Sequence, residues 1–217
     1  MQSDGSIALS IEYLQWPQHQ RVAFHASVVR VAHPLISLVE LEATAPKAPS
    51  LEVRAPGLWT DLGIQTAGEH MTVDIEAFAV ALDEPADVFA GAYGQRTAVG
   101  CELEWETAAP PIVRSIGNGY DVPCVVHGEL LLDEATIDID GWGWRSHRWG
   151  RPHADDRSRI RGRTAAGEWF TSHDTERELA MTIVGEAPAP DPALDARLLQ
   201  YFTEGDDGER AWVRRVE

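Results

Sequence analysis

Basic residues are scarce in this chain of 217 amino acids. Lysine and arginine together number 18 against 35 aspartates and glutamates, so the formal net charge is -17. A negative surplus of this size repels the phosphates of nucleic acids and the headgroups of anionic membranes. We therefore expect no nucleic acid and no anionic membrane surface as the principal partner, and the charge favours solubility.

Long apolar runs and a leader-like start are also missing. No apolar stretch approaches the roughly 20 residues of a membrane-spanning helix, so we expect no membrane insertion. A secretory signal begins with a basic segment that is followed by an apolar run. Residues 1–5 do not show this pattern. The expected location is the cytoplasm.

Cysteine is rare, and the common catalytic signatures are lacking. The two cysteines, Cys101 and Cys124, lie far apart in alternating apolar runs, which favours buried reduced thiols over a disulfide or a nucleophile. The histidines at 147, 153 and 173 do not have the spacing of a compact zinc site, so we expect no metal. Because no phosphate loop, dinucleotide fingerprint or nucleophile elbow occurs either, we expect no cofactor.

The pattern that dominates the chain is a strict alternation of apolar and polar residues. In Val99–Glu106 the odd positions are apolar, while Glu102, Glu104 and Glu106 form a polar face. Such alternation is typical of strands with one buried face. Similar runs occur at 21–28, 71–76, 122–132 and 136–139, and Asp133–Glu134 between the last two predicts a hairpin. The sequence therefore predicts an all-β protein, an antiparallel barrel or two packed sheets.

Two helices are also expected. Asp83 precedes Pro85, which suits a first turn, and a short helix could run from there towards Tyr93. Leu194, Leu198 and Tyr201 share a helical face, which predicts a C-terminal helix near 191–202. Too little chain follows the short proline linker before it to build a second core, so we expect one domain over residues 1–217.

The segment Asp138–Gly150 is the candidate site. It holds three tryptophans, two arginines and one histidine, and no other stretch combines so much aromatic surface with groups able to carry charge or move a proton. If the strand continues from Ile139 without a bulge, Arg145, His147 and Trp149 face the interior. Gly141 and Gly143 are typical bulge positions, however, and one extra residue would reverse the facing of everything after it.

This segment resembles a known signature. Asp140–Gly150 is similar to the D-G-x-G-x-R-D-H-S-W-G string that follows a hairpin in the AttH-like, hydroxyneurosporene-synthase-like group. The pieces Leu58–Asp61, Glu76–Phe78 and Leu103–Glu106 also look like strands of that group, so the resemblance covers roughly 57–150. The chain departs from the pattern at Ser146, where the group has aspartate, and at Arg148, where it has serine.

The resemblance implies a calycin, or lipocalin-like, fold and a cofactor-independent enzyme. The group includes carotenoid hydratases and cyclases of polyketide or terpenoid chains, so the implied partner is a small hydrophobic molecule that is cyclised, isomerised or hydrated. Such proteins commonly have two lipocalin-like halves. This chain is short for two, which leaves a reduced single barrel or a homodimer that completes its pocket.

Each candidate residue then has an expected role. His147 would move a proton and Arg145 would hydrogen-bond a developing oxyanion, with Glu76 and Glu104 as the carboxylates to test first. The expected substrate-binding wall consists of Trp142, Trp144, Trp149, Trp105, Trp59 and Arg148.

Plainer interpretations remain open. The tryptophans could simply close the end of a barrel, and His147 could be a structural histidine. The charges of 157–163 alternate as on the wet edge of a strand, with anion binding as the alternative. The departures at Ser146 and Arg148 also make a non-catalytic binding protein for an apolar metabolite credible. A structural subunit whose acidic surface meets a basic partner is the third alternative.

Overall fold

A computed structural model describes residues 1–91, 94–113, 118–150, 158–173, 181–193 and 195–217. Over these ranges the chain forms sixteen strands and two short 3-10 helices. Neighbouring strands run antiparallel, in two separate sheets. The expectation of an all-β, antiparallel fold is therefore confirmed.

The first sheet is built by the chain up to residue 149. Its main path runs β1-β2-β3-β6-β7-β9-β10, while β5 pairs with β6, β4 with β5 and β8 with β9. The strands are β1 (Ile7–Trp16), β2 (Arg21–Arg30), β3 (Leu35–Thr44), β4 (Val53–Ala55), β5 (Leu58–Thr66), β6 (His70–Leu82), β7 (Gln95–Thr107), β8 (Ile112–Val113), β9 (Asn118–Leu132) and β10 (Ala135–Trp149). The hairpin predicted at Asp133–Glu134 joins the last two strands.

The second sheet is built by the chain after residue 157. Its order is β12-β11-β16-β15-β13, with β14 beside β15. The strands are β11 (Ser158–Arg163), β12 (Trp169–Ser172), β13 (Thr182–Glu186), β14 (Ala189–Asp191), β15 (Ala196–Glu204) and β16 (Arg210–Val216).

One face of the first sheet, the inner face, encloses the main core. Alternate residues of β1, β2, β3, β5, β6, β7, β9 and β10 pack into a single apolar cluster, so the sheet curls around it. Phe24, Leu103, Leu130 and Val126 are among the fully buried members. The sheet is not a closed barrel, because its end strands β1 and β10 do not pair with each other within the described residues. The ladder contact described between the two ends is a single isolated bridge from Gln2, which precedes β1, to Gly141 of β10.

The opposite, outer face is covered in part by the second sheet. A separate apolar cluster joins Ala8, Val29 and Leu35 of the first sheet to Phe202 of the second. The alternative of two packed sheets is therefore the one that the structure shows.

The two expected helices have different outcomes. Pro85–Ala90 is a 3-10 helix that ends at Gly91, whereas the expected end at Tyr93 lies outside the described residues. The C-terminal helix near 191–202 is wrong, because this region contains β14 and β15 instead. Leu198 and Phe202 are buried by strand alternation, and the ladder between β15 and β16 outweighs the local helical spacing.

The cysteines are free and buried, as expected. Burial raises the pKa of the Cys101 thiol to about 12 and also raises that of Cys124, so neither is poised as a nucleophile. The two helices of the described residues contain three and six residues, and neither has the length or apolar character of a membrane span.

Candidate functional site

Strand β10 carries the candidate segment without a bulge. Its register with β9 is unbroken from the pair Ala135–Leu132 to the pair Trp149–Asn118. The odd-numbered residues after Ile139 therefore continue on the inner face, and the even-numbered residues lie on the outer face. The condition on which the expected facing of Arg145, His147 and Trp149 depended is met.

Gly141 and Gly143 are sites of close approach rather than bulges. A Cβ atom at Gly141 would lie 1.9 Å from the carbonyl oxygen of Met1, which accepts a hydrogen bond from the Trp142 amide. A Cβ at Gly143 would lie 2.5 Å from the Trp105 ring. The missing side chains let the N-terminal segment and an indole pack directly on the strand.

Trp142 and Trp144 pack between the sheets. Both rings make edge contacts with Trp169 of β12, at centroid distances of 5.7 and 5.6 Å, and Trp142 is buried. These two rings, expected in a substrate-binding wall, are thus part of the core that attaches the second sheet.

Three aromatic side chains meet at the end of the inner face. The rings of Tyr120 and His147 lie 5.6 Å apart, His147 and Trp149 5.3 Å, and Tyr120 and Trp149 6.3 Å. The Tyr120 hydroxyl lies 3.4 Å from Nδ1 of His147. Trp149 is 52% exposed and His147 is exposed as well. We call this trio the aromatic end.

Arg145 and Trp105 occupy the inner face beside the aromatic end. Arg145 donates from Nη2 to the carbonyl oxygen of Gly68 at 3.1 Å and to Oγ1 of Thr107 at 3.3 Å. These bonds hold the β5–β6 turn and the end of β7 against β10. The described bonds leave other N–H groups of the guanidinium for a ligand, because arginine has five.

Several buried polar atoms on the inner face have no hydrogen-bond partner. Two of them, Nε1 of Trp105 and the hydroxyl oxygen of Tyr13, belong to side chains that pack against the main core. Burial also raises the pKa of Tyr13. Because buried donors are almost always satisfied in proteins, these two mark places where a ligand or water oxygen would fit.

The remaining residues expected in the site lie elsewhere. Glu76 and Glu104 are exposed on the outer face, and the structure does not bring either to the aromatic end. Trp59 lies opposite Glu76 across β5 and β6, where its Nε1 donates to Glu52 at 2.9 Å. The polar face expected for Glu102, Glu104 and Glu106 is confirmed as exposed.

Ligand atoms of His70, Glu104 and Glu106 lie within 4.8 Å of one another on this outer face. His70 Nε2 is 3.4 Å from Glu104, an ordinary ion-pair distance. Exposed acidic groups of this kind are common without a metal, and we assign none. His153, one of the three histidines considered above, lies outside the described residues.

A buried charged cluster lies between the sheets, at the other face of β10. The Asp121 carboxylate, fully buried on β9, accepts a hydrogen bond from the Ser146 hydroxyl at 2.5 Å. Arg159 Nη2 lies 2.5 Å from its Oδ2, and Arg161 Nε lies 3.0 Å from its Oδ1. The wet edge expected around 157–163 is therefore wrong at these two arginines, which face the first sheet.

Arg148 and Arg214 complete this cluster. The pKa of Arg161 is lowered to about 9, and burial is the largest cause. The positive charges of Arg148, Arg159 and Arg214 lower it further. Arg214 also lies 3.5 Å from Asp191 and 3.6 Å from Glu12. We call Arg148, Arg159, Arg161 and Arg214 the arginine layer.

Comparison with protein-family models, curated proteins and solved structures finds no match. The functional interpretation therefore depends on the residues and their geometry.

Tyr120, and the grouping of Arg159, Arg161 and Arg214 with Arg148, are the parts of the site that the sequence did not reveal. The signal for Tyr120 was present, because it lies two residues before Val122 in the same alternating run and therefore on the inner face. The alternation of Arg159 and Arg161 was visible, but it looks the same for a wet edge and for a buried face. Which of these applies depends on what covers the strand.

Proposed function

We propose that the protein binds an unsaturated, apolar small molecule at the aromatic end. The observation that supports this most directly is the half-exposed Trp149, whose ring makes an edge contact with Tyr120 and a tilted contact with His147. Three such rings offer flat faces for stacking on a conjugated system. Contiguous exposed apolar surface is typical of ligand- and partner-binding sites, and the exposed Trp149 ring contributes such surface here.

The neighbouring polar groups indicate what else the ligand carries. Arg145 and the unpartnered Nε1 of Trp105 are both donors on the same face, so they favour a ligand with a carbonyl, enolate or hydroxyl oxygen. Within the first sheet itself the core is filled by apolar side chains. The ligand is therefore expected to lie across the end of the sheet, with only its oxygen-bearing part directed inward.

Replacing Trp149 with leucine is expected to weaken binding of such a ligand roughly two- to tenfold, because an aromatic pair contributes about 0.5–1.5 kcal/mol beyond its buried area. Isothermal titration with a panel of polyenes, terpenoids and polyketide-like acids measures this directly. Trp16→Leu is the matched control. Its ring is covered by the Arg21 guanidinium, 4.5 Å from the centroid, and has none of the described ring contacts of the aromatic end. Equal affinities for Trp149→Leu and Trp16→Leu would contradict the proposed surface.

A second function, catalysis on the bound molecule, is favoured by the contact between His147 Nδ1 and the Tyr120 hydroxyl. At 3.4 Å the two groups are slightly beyond an ordinary hydrogen bond, and such contacts commonly tighten when a substrate binds. A histidine beside a phenol can accept and return a proton, which is what isomerisation, cyclisation or hydration of a polyene requires. Arg145 would stabilise charge that develops on an oxygen.

His147→Gln is expected to lower kcat by roughly 10²–10⁴ and to weaken binding far less, because it abolishes proton transfer but removes one ring of three from the aromatic end. Single-turnover assays with mass analysis of the recovered ligand separate the two quantities. His127→Gln is the control, since His127 is exposed on the outer face beside Asp140. If the wild-type protein returns every bound ligand unaltered, binding alone is the function.

A further inference from the structure

We propose that the arginine layer binds the oxyanion group of a small molecule, a carboxylate or a phosphate, between the two sheets. This site lies on the outer face of β10, opposite the aromatic end. It does not depend on the function proposed above.

Buried guanidinium donors that form no hydrogen bond support the assignment. Nη2 of Arg161 and Nε of Arg214 are inaccessible to solvent and have no hydrogen-bond partner, although Nε of Arg214 lies 3.6 Å from Oε1 of Glu12. Nε of Arg161 faces the Asp121 carboxylate without forming a well-aligned hydrogen bond, although the two charges are 3.0 Å apart. A buried guanidinium donor left unsatisfied is costly, so an acceptor is expected at this place.

The described carboxylates beside the arginine layer do not fill these donors. Asp121 faces Arg159 and Arg161, whereas Asp191 and Glu12 lie 3.5 and 3.6 Å from Arg214, and Nη2 of Arg161 still has no hydrogen-bond acceptor. The arginine layer occurs inside a protein whose overall charge is -17, where cations are few. An oxyanion that accepted a hydrogen bond from Nη2 of Arg161 would be held strongly, because water screens little in this region.

The register of the second sheet fixes the arrangement. Arg159 lies opposite Arg214 on β11 and β16, and Arg161 is two residues further along the same face of β11. The planar guanidinium groups thus come from neighbouring strands, as in sites that hold a carboxylate or phosphate by paired bonds. The side chains of Arg161 and Arg214 are each 12% exposed, so the layer is not completely closed off from solvent.

Isothermal titration of the full chain with inorganic phosphate, sulfate and acetate, in chloride buffer at constant ionic strength, tests the site. Saturable binding is expected for at least one of these ions. Arg161→Met should weaken it roughly tenfold or more, because charge-assisted hydrogen bonds are lost. Preference for acetate would identify a carboxylate ligand, and preference for phosphate and sulfate would identify a phosphate.

Arg54→Met is the matched control, since Arg54 on β4 is 73% exposed and pairs with Glu52. It should bind each ion as the wild type does. If Arg161→Met does not fold, Arg161→Lys keeps the positive charge but loses the planar fork, and should still bind the ion more weakly. Absence of saturable binding of all three ions by the wild type would overturn the proposal, as would equal affinities of the wild type and a folded Arg161 variant.

Discussion

Replacing Asp121 with asparagine is expected to lower the free energy of unfolding by about 3–5 kcal/mol, the range typical of breaking a buried ion pair from one side. The carboxylate is fully buried, and it is the partner of both Arg159 and Arg161. Without the Asp121 charge, the two guanidinium groups stay buried but lose the negative charge that offsets their own. Urea denaturation measures the change, with the slope of the transition as a check that both states remain comparable.

Asp138→Asn provides the control for this prediction. Asp138 is exposed on the same hairpin, so its replacement should change stability by no more than about 0.5 kcal/mol. Combining Asp121→Asn with Arg161→Met should restore part of the loss, because the second change removes a cation that the first leaves uncompensated. A loss at Asp121 no larger than at Asp138 would show that the cluster is hydrated rather than buried.

Gly141→Ala is expected to cost about 3 kcal/mol of stability and to release residues 1–3 from β10. The added methyl group would lie 1.9 Å from the Met1 carbonyl oxygen, which is backbone and has little freedom to move aside. Overpacking of this kind costs about 1–3 kcal/mol, and each backbone hydrogen bond that is lost adds about 1 kcal/mol. Those at risk are Trp142 N–H to Met1 O, 2.9 Å, and Ser3 N–H to Asp140 O, 3.1 Å.

Hydrogen exchange at the Trp142 and Ser3 amides would show the release directly. Gly143→Ala is the comparison, because its methyl group meets the ring of Trp105 rather than backbone. That side chain can shift, so a smaller loss and normal protection of both amides are expected. Full protection of the two amides in Gly141→Ala would contradict the proposed role of the close approach.

The strands of the first sheet were predictable from the sequence because their pattern is local. Val99–Glu106 alternates without interruption and forms part of β7, and Asp133–Glu134 makes the hairpin between β9 and β10. The segment 191–202 could not be predicted in the same way. Its apolar residues fit a helix, and its strand form depends on β16, which follows it in the chain.

For the site, the sequence predicted which face of the strand each residue lies on, but not what that residue contacts. The inner facing of Arg145, His147 and Trp149 followed from an unbroken strand. The packing of Trp142 and Trp144 against Trp169 depended on a strand beyond the segment. The burial of Arg159 and Arg161 likewise depended on the outer face of the first sheet, which covers them. Contacts of this kind arise between distant parts of the chain, and no local spacing reports them.

The unbroken register of β10 also predicts how related sequences should diverge. Positions 142, 144, 146 and 148 share the outer face, so their substitutions should accompany substitutions in the second sheet. Positions 145, 147 and 149 share the inner face and should change with the chemistry of the ligand instead. Adjacent residues of one short segment would then vary independently of each other. A single-residue insertion in the segment would move every later side chain to the opposite face of the sheet.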